Sequence, residues 1–257
     1  MIKVFDICSG IGGFSLGLES TGAYKTVAFC ENEEFCNKIL NKHWPDVPIY
    51  NDLKELGNDP EKIQEEFDLI CGGIPCQPFS VAGQKKGKED DRHLWPYMFE
   101  IIKQKTPTWV IVENVGGFVN VALDDVCLDL ETEGYATQSF IIPACGIEAP
   151  HRRDRIWIIG RNMADAKELS GDEYVNKDSE QGNGEQQQGV QGQLRGKSGY
   201  GAHFQGKQWE SEPAVGRVAN GIPDRVDRLK ALGNAIVPQI IYHIGKAIAD
   251  EEMDNTT

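Results

Sequence analysis

The stretch DICSGIGGF (residues 6–14) decides the fold of this 257-residue chain, because it follows a short apolar run and opens a helical pattern. Glycines at positions 10, 12 and 13 let the backbone approach a ligand closely, as a loop between a strand and a helix requires. Position 15 is Ser, so the third glycine of the dinucleotide fingerprint G-x-G-x-x-G is missing. The stretch therefore predicts a strand, a ligand-binding turn and a helix, without a diphosphate loop.

Residues 1–162 alternate short apolar runs with amphipathic stretches, which is typical of βα units around a mostly parallel sheet. The runs span residues 3–8, 26–30, 68–71 and 109–112, and two later ones span 139–142 and 155–159. The later two are candidate antiparallel strands. We therefore expect an α/β, Rossmann-like fold.

Two carboxylates extend the ligand site that the glycines indicate. Glu31 lies 21 residues after Gly10, behind the second strand, where a carboxylate commonly binds ribose hydroxyls in this architecture. Asp52 follows the apolar run 47–50, in position to accept from an adenine amino group. A methionine-bearing nucleoside has no pyrophosphate, so these features fit S-adenosylmethionine better than NAD.

Composition excludes some functional classes. No run of 18 apolar residues exists, so a membrane span is not expected, and the N-terminal sequence lacks the basic and apolar regions of a secretory signal. Seven cysteines without a C-x-x-C pair indicate reduced thiols and a cytoplasmic location. The net charge of −14 argues against a nucleic-acid partner, but net charge is a sum and binding is local.

The chain divides into three parts: a catalytic and cofactor-binding domain (1–162), a small variable region (163–212), and a C-terminal segment (213–257) that returns to the first domain. Residues 167–193 have the composition of a flexible insert. Residues 194–209 interleave basic and aromatic side chains with glycines, a mixture suited to phosphates and bases. Helices are predicted over 226–232 and 237–249, with a frayed acidic end from residue 250.

Cys76 lies between two prolines in the stretch GGIPCQPFS (72–80), just past a predicted strand. Parallel sheets place their ligands at such strand ends, so Cys76 is a candidate nucleophile. With this motif the chain resembles the cytosine-5 DNA methyltransferases of bacterial and phage restriction-modification type. The resemblance rests on ordered motifs: DICSGIGGFSLGLE (6–19), GGIPCQPFS (72–80), ENV (113–115), HRRDRIW (151–157) and GNAIVP (233–238).

The resemblance implies the S-adenosylmethionine-dependent methyltransferase fold and a set of catalytic roles. The Cys76 thiolate would add to carbon 6 of a flipped-out cytosine and make carbon 5 nucleophilic. A protonated Glu113 would bond the ring N3 and the exocyclic amine, and Arg155 would contact the carbonyl oxygen. Arg153 would support the same pocket, since side chains two apart on an extended strand point the same way.

The resemblance also implies binding residues, no metal, and duplex DNA as the partner. The cofactor set is Ser9, Gly10, Ile11, Gly12, Gly13, Phe14, Glu31, Asn32, Asp52, Leu53, Pro75, Asn234 and Ile236. The DNA set is Gln77, Ser80, Lys85, Lys86, Arg92, Arg195 and Lys197, with a recognition element predicted at 194–209. A cognate restriction endonuclease is a candidate partner, and we expect a monomer. One departure is Cys8, where the family usually has an aromatic that stacks on adenine.

Three alternatives remain at this point. One is an RNA enzyme that methylates cytosine in transfer RNA through the same Cys and Glu. Another is a catalytically inactive DNA-binding relative, which the intact Cys76, Glu113 and Arg155 disfavour. An NAD dehydrogenase is disfavoured by the glycine pattern. The predicted DNA-facing segments are basic while residues 52–68 carry seven acids and two lysines, so a two-faced molecule is expected.

Overall fold

The protein is described by a computed structural model over residues 1–74, 94–120, 122–147, 149, 153–164 and 225–254. The strands are β1 (Ile2–Ile7), β2 (Tyr24–Cys30), β3 (Ile49–Tyr50), β4 (Leu69–Gly73), β5 (Trp109–Val115), β6 (Tyr135–Pro143) and β7 (Asp154–Asn162). The helices are α1 (Gly13–Glu19), α2 (Glu34–His43), α3 (Leu53–Asn58), α4 (Trp95–Lys105), α5 (Leu123–Thr132), α6 (Arg225–Asn234) and α7 (Pro238–Asp254). Short 3-10 turns span Pro60–Lys62, Gly116–Asn120 and Ala144–Ile147.

All these strands form one sheet in the order β3-β2-β1-β4-β5-β7-β6. The pairings are parallel except for β7, which runs antiparallel to both β5 and β6. The strand order reverses between β1 and β4, and open α/β sheets bind ligands at the carboxyl ends of strands beside such a reversal. The predicted α/β, mostly parallel fold is confirmed. A ligand site is expected at the carboxyl ends of β1, β2, β4 and β5.

Both faces of the sheet are covered, which explains why its central strands are almost continuously apolar. Alternate residues of β1 enter different cores: Phe5 and Ile7 face one, and Val4 faces the other. Helices α3, α4 and α5 pack on the first face, and α1 and α7 pack on the second. None of the helices in the described ranges has the length and apolar character that a membrane crossing requires.

Helix α7 packs directly against α1, although more than 200 residues separate them in sequence. Gly17 permits this contact, because a Cβ there would lie 2.3 Å from Ile241 and 2.4 Å from the carbonyl oxygen of Pro238. Near the next turns of α7, the Tyr24 hydroxyl donates to the Gly245 carbonyl oxygen at 2.7 Å. The C-terminal segment thus completes the second face of the sheet.

Both C-terminal helices are longer than the sequence pattern predicts, and the expectation of a frayed end from residue 250 is wrong up to Asp254. Acidic side chains of the last turns bond to the sheet: Glu251 pairs with Arg161, and Glu252 accepts from the Trp109 indole N–H at 3.1 Å. Arg161 also lies over the Trp109 ring, 5.3 Å from its centroid. These contacts hold the last turn of α7, which lies beyond the predicted helix end at residue 249.

Candidate active site

The loop between β1 and α1 has the geometry that its glycines predict. Gly12 has φ +81°, and a Cβ there would lie 2.6 Å from the Trp44 ring. Gly13 meets a second part of the chain, since a Cβ there would lie 2.8 Å from Cγ1 of Ile236. Glycine is therefore required at position 12 for backbone conformation and space, and at position 13 for the approach of the C-terminal segment.

Glu31 lies behind β2 and organises this loop. Its carboxylate is buried and accepts the backbone N–H of Gly10 at 2.7 Å and that of Glu33 at 2.8 Å. A carboxylate oxygen has more than one lone-pair direction, so these bonds leave acceptor capacity on the side that lines the cavity described below. The same carboxylate can hold the glycine loop and accept hydrogen bonds from the hydroxyl groups of a ribose.

Asp52 is the N-cap of α3, and its Oδ1 accepts the backbone N–H of Lys54 at 2.8 Å. Asn37 ties this region to Glu31: its side-chain amide donates to the Glu31 carbonyl and to the Asn51 side chain, each at 3.1 Å. The two acidic residues predicted for the cofactor therefore lie in one hydrogen-bonded region of the molecule.

Asp6 bonds to a residue that follows the glycine loop. It is fully buried at the end of β1 and accepts from the Ser15 hydroxyl at 2.8 Å and from the Ser15 N–H at 3.3 Å. Burial raises the pKa of Asp6 to about 8, with Ser15 opposing the shift. Its Oδ1 has no hydrogen-bond partner within the described ranges. The carboxyl fixes the start of α1 against β1.

A cavity of about 530 Å³ opens above these residues, within the usual size range of small-molecule sites. It joins two groups of predicted residues: Glu31 and Asp52 on one side, and Glu113 and Arg155 on the other. The predicted cofactor residues that line it are Ser9, Gly10, Gly13, Phe14, Glu31, Asn32, Asp52, Leu53, Asn234 and Ile236. Ile11 and Gly12 belong to the loop but do not line this cavity.

Glu113 and Arg155 form the charged end of the cavity. They lie on the neighbouring strands β5 and β7, and Arg155 Nε contacts Glu113 Oε1 at 2.8 Å. Burial raises the pKa of Glu113 to about 7, although Arg155 and Arg153 both act to lower it. Gly73 adds no side chain here, since a Cβ would lie 3.3 Å from Glu113 Oε2. The carboxyl can thus carry a proton near neutral pH while one oxygen is paired.

Asn114 connects this end to the chain that leads to Cys76. Its side-chain amide donates to the Ile74 carbonyl at 3.1 Å, and its Oδ1 accepts the Val115 N–H at 2.9 Å. Asn114 is buried and lines the cavity. It is absent from the predicted site, although its place in the ENV motif was a usable signal.

Arg153 does not have the backbone that was predicted for it. It precedes β7 and has φ +37°, so Arg153 and Arg155 are not two residues of one extended strand. The Arg153 guanidinium donates to the main-chain carbonyls of Gly233 and Ala235, at 2.8 and 2.6 Å. The alternation argument that placed both arginines in one pocket therefore fails for Arg153.

Other residues line the cavity although they are not in the predicted site set. Phe35, in the first turn of α2, lines the cavity and belongs to neither apolar core, although α2 buries its neighbours Cys36 and Leu40. Lys230 of α6 also lines it and pairs with Glu33. Cys8 forms part of the wall, and burial raises the pKa of its thiol well above the ordinary value, so it is a poor nucleophile.

Several predicted residues lie outside the described residues: Pro75, Cys76, Gln77, Ser80, Lys85, Lys86, Arg92, Arg195 and Lys197. The same is true of the recognition element predicted at 194–209. Their roles stay predictions.

The reversed strand order, the glycine loop, the carboxylate behind β2 and a cavity reaching a second charged centre define an α/β fold whose ligand site lies at the carboxyl ends of its parallel strands. Residues 2–222 match the family described as C-5 cytosine-specific DNA methylase, and the chain belongs to this family.

Among curated relatives, the Type II methyltransferase M2.BsuMI of Bacillus subtilis (strain 168) is 32% identical over 177 residues, which cover 65% of this chain and 44% of that protein. The Orphan methyltransferase M.SPRI of Bacillus phage SPR is 33% identical over 170 residues, covering 62% and 37%. The chain therefore spans less than half the length of these relatives.

Solved structures share the fold. The S. pombe Dnmt2 methyltransferase superposes with a TM-score of 0.54 at 22% identity, over 63% of this chain and 51% of that one. The Entamoeba histolytica methyltransferase EhMeth gives a TM-score of 0.53 at 20% identity, over 63% and 53%.

Proposed function

We propose that this protein transfers the methyl group of S-adenosylmethionine to carbon 5 of a flipped-out cytosine in duplex DNA, through a covalent adduct with Cys76. The observation that carries the proposal is the single cavity that joins the Glu31 and Asp52 carboxylates to the Glu113–Arg155 pair. Methyl transfer to DNA needs the cofactor and the target cytosine side by side. One cavity with an acidic end and a Glu113–Arg155 end meets that need.

The cofactor end fits S-adenosylmethionine on its donor set. Glu31 and Asp52 offer carboxylate oxygens to the ribose hydroxyls and the adenine amine, and their negative charge suits a positively charged sulfonium. Phe35 adds an aromatic surface on which the adenine ring can stack. When bound, the cofactor supplies an electrophilic methyl group. The chain's own residues bind, orient and exclude water around it.

At the cytosine end of the cavity, the Cys76 thiolate uses an electron pair to bond carbon 6, and the electrons of the ring C5=C6 bond shift toward N3 through carbon 4. Glu113 donates its proton to N3 as that negative charge develops, which a carboxyl with a pKa near 7 can do. Arg155 holds the Glu113 carboxylate and contacts the carbonyl oxygen of the base. Once carbon 5 carries the methyl group, N3 returns its proton to Glu113. The carbon-5 proton then leaves to a general base, the C5=C6 double bond re-forms, and the Cys76 thiolate is expelled.

Duplex DNA is the proposed substrate, and a cytosine inside the stack must be flipped out to reach such a cavity. A cognate restriction endonuclease stays a prediction, because the relatives include both type II and orphan methyltransferases by name. The monomeric state stays a prediction as well.

The test is transfer of labelled methyl from S-adenosylmethionine to unmethylated duplex DNA and, in parallel, to unmodified transfer RNA. The proposal predicts label in DNA as 5-methylcytosine, none in RNA, and transfer slowed by roughly 10² to 10⁴ in Glu113→Gln. Bisulfite sequencing of DNA from expressing cells then identifies the sites. Label in transfer RNA alone would establish the RNA enzyme, and duplex binding without any label would establish the inactive relative.

A further inference from the structure

The Arg153 side chain joins two parts of the chain that are distant in sequence. Its Nη2 donates to the carbonyl oxygens of Gly233 and Ala235, which lie 80 and 82 positions further along. Bonds from a guanidinium to main-chain carbonyls are charge-assisted and so stronger than neutral ones. Arg153 therefore fixes the backbone that follows α6.

The backbone of Arg153 itself is strained. A φ of +37° is uncommon for a residue other than glycine and persists only where the surroundings enforce it. Its Nε is buried without a hydrogen-bond partner in the part of the chain that the structure describes. The guanidinium therefore bonds to the two carbonyls through Nη2 while the Arg153 backbone adopts an unfavourable φ.

The backbone that Arg153 binds is a wall of the cofactor end of the cavity. Gly233 and Ala235 flank Asn234, and Ile236 follows; all four line the cavity. Ile236 also packs on Gly13, the first residue of α1, so closely that a Cβ on Gly13 would lie 2.8 Å away. Fixing the carbonyls on either side of Asn234 therefore sets both Asn234 and the contact with the glycine loop.

Arg155, two residues further along the chain, pairs with Glu113 at the cytosine end. Residues 153–155 thus connect the two ends of one cavity. We propose that Arg153 is a positioning residue for the cofactor loop, defined as residues 233–236, and that it does not contact the target base. This role rests on the proposed function, because it assigns the loop to S-adenosylmethionine.

The expected effect separates cofactor binding from chemistry. Arg153→Gln frees the loop, so that only a fraction of molecules holds the binding-competent conformation, and the dissociation constant rises in inverse proportion to that fraction. We expect about a tenfold rise in the dissociation constant of S-adenosylhomocysteine, and a similar rise in KM for S-adenosylmethionine. At about pH 6, where Glu113 is protonated with or without the charge of Arg153, the kcat at saturating cofactor should stay within about threefold of wild type, because Glu113 and Arg155 are intact.

Matched variants isolate the loop from general stability. Arg155→Gln should show the opposite split, a large loss of kcat with little change in cofactor affinity. Arg161→Gln removes an arginine from the far end of β7, where it pairs with Glu251 outside the cavity, and should leave cofactor affinity unchanged. Arg153→Lys keeps the charge but lacks the planar fork, so its affinity should lie between wild type and Arg153→Gln.

A double-mutant cycle tests whether the effect runs through the loop. Ile236→Ala loosens the same loop at its contact with Gly13. If Arg153 acts there, the losses of Arg153→Gln and Ile236→Ala combine to less than their product, whereas independent sites give the product.

The experiment is calorimetric titration of the full 257-residue chain with S-adenosylhomocysteine, followed by steady-state kinetics. Wild-type affinity in Arg153→Gln, with kcat lost as in Arg155→Gln, would overturn the proposal and restore a base-contacting role. Should Arg153→Gln fail to fold, Arg153→Lys carries the test, and wild-type affinity there would be contradictory. A wild-type chain that does not bind S-adenosylhomocysteine contradicts the proposed function, and this role falls with it.

Discussion

Glu113 shows how one side chain obtains two states within reach of neutral pH. Burial favours the neutral carboxyl and raises its pKa to about 7, while Arg155 at 2.8 Å and the more distant Arg153 favour the carboxylate. The opposition of these effects leaves the group near the middle of its titration. Such a carboxyl can give a proton to a ring nitrogen and take it back.

The pH dependence of activity follows from that pKa. The proposed step needs protonated Glu113, so kcat/KM should fall as pH rises through about 7. Glu113→Gln cannot titrate, so this alkaline limb should vanish and the rate should drop by roughly 10² to 10⁴. Methyl-transfer rates from pH 5.5 to 8.5 supply the measurement. Exposed Glu131→Gln is the control, and an alkaline limb that survives in Glu113→Gln would refute the assignment.

Phe35 should contribute to cofactor binding through its ring. Phe35→Ala should weaken S-adenosylhomocysteine binding about tenfold, since stacking of an aromatic on a base contributes on the order of 1–3 kcal/mol. Phe35→Trp should retain affinity and report binding through a change in indole fluorescence. Phe140→Ala removes a partly exposed ring from β6, outside the cavity, and should bind normally. Equal affinity in Phe35→Ala and wild type would exclude the stacking role.

The sequence predicted several of the residues that line the cavity from their positions at strand ends. Glu31, Asp52 and Glu113 line one cavity because parallel strands deliver their carboxyl ends to the same edge, and Arg155 joins them because the antiparallel strand β7 begins at that edge. The extended backbone predicted for Arg153 is wrong, because alternation along a strand does not apply to a residue with positive φ. Phe35 was missed because a single aromatic in a helix has no pattern that separates a cavity wall from a core.

Among the elements, α1 and α7 depend most directly on small residues. At Gly17 the obstacle to a side chain includes the Pro238 backbone, which cannot rotate aside, whereas at Gly245 it is mainly the Leu18 side chain, 2.6 Å away. The two glycines therefore differ in how easily their surroundings relax.

Gly17→Ala should lower the free energy of unfolding by about 1–3 kcal/mol, even though alanine favours a helix, because overpacking against backbone is not relieved. Gly245→Ala should cost less, since the Leu18 side chain can move. Urea denaturation measures both, and Gly146→Ala, where a Cβ would have ordinary contacts at 3.8 Å, is the control. A Gly17→Ala protein as stable as wild type would show that α7 does not pack on α1 in this way.

The elements were predicted from apolar runs with small errors at their ends. The runs 109–112 and 155–159 underestimated β5 and β7, because Glu113, Asn114 and Arg161 are polar yet lie in the strands. Residues 250–254 looked unstructured for the same reason: their acidic side chains carry no apolar signal. Their partners Arg161 and Trp109 are on the sheet, far away in sequence, so only the folded structure reveals them.

For the whole molecule, charge predicts how binding responds to salt. The net charge of −14 opposes DNA in general, so binding must depend on local basic segments. Duplex affinity should fall about tenfold between 50 and 200 mM salt for two phosphate contacts, and further for each additional one. Fluorescence anisotropy with a labelled duplex measures the slope. Cofactor binding without DNA is the control, and an affinity for DNA that ignores salt would contradict the prediction.

In the proposed reaction Cys76 forms a covalent bond to cytosine, and this bond can be trapped. The probe is a long duplex in which 5-fluorocytosine replaces cytosine, so that no target sequence need be known. Because fluorine takes the place of the proton that must leave carbon 5, the thiolate cannot be eliminated after methyl transfer. With S-adenosylmethionine, the wild type and Cys145→Ser should give a stable protein–DNA adduct, and peptide mapping should place it on Cys76. Cys76→Ser should give none. An undiminished adduct in Cys76→Ser, or one mapped to another cysteine, would contradict the account.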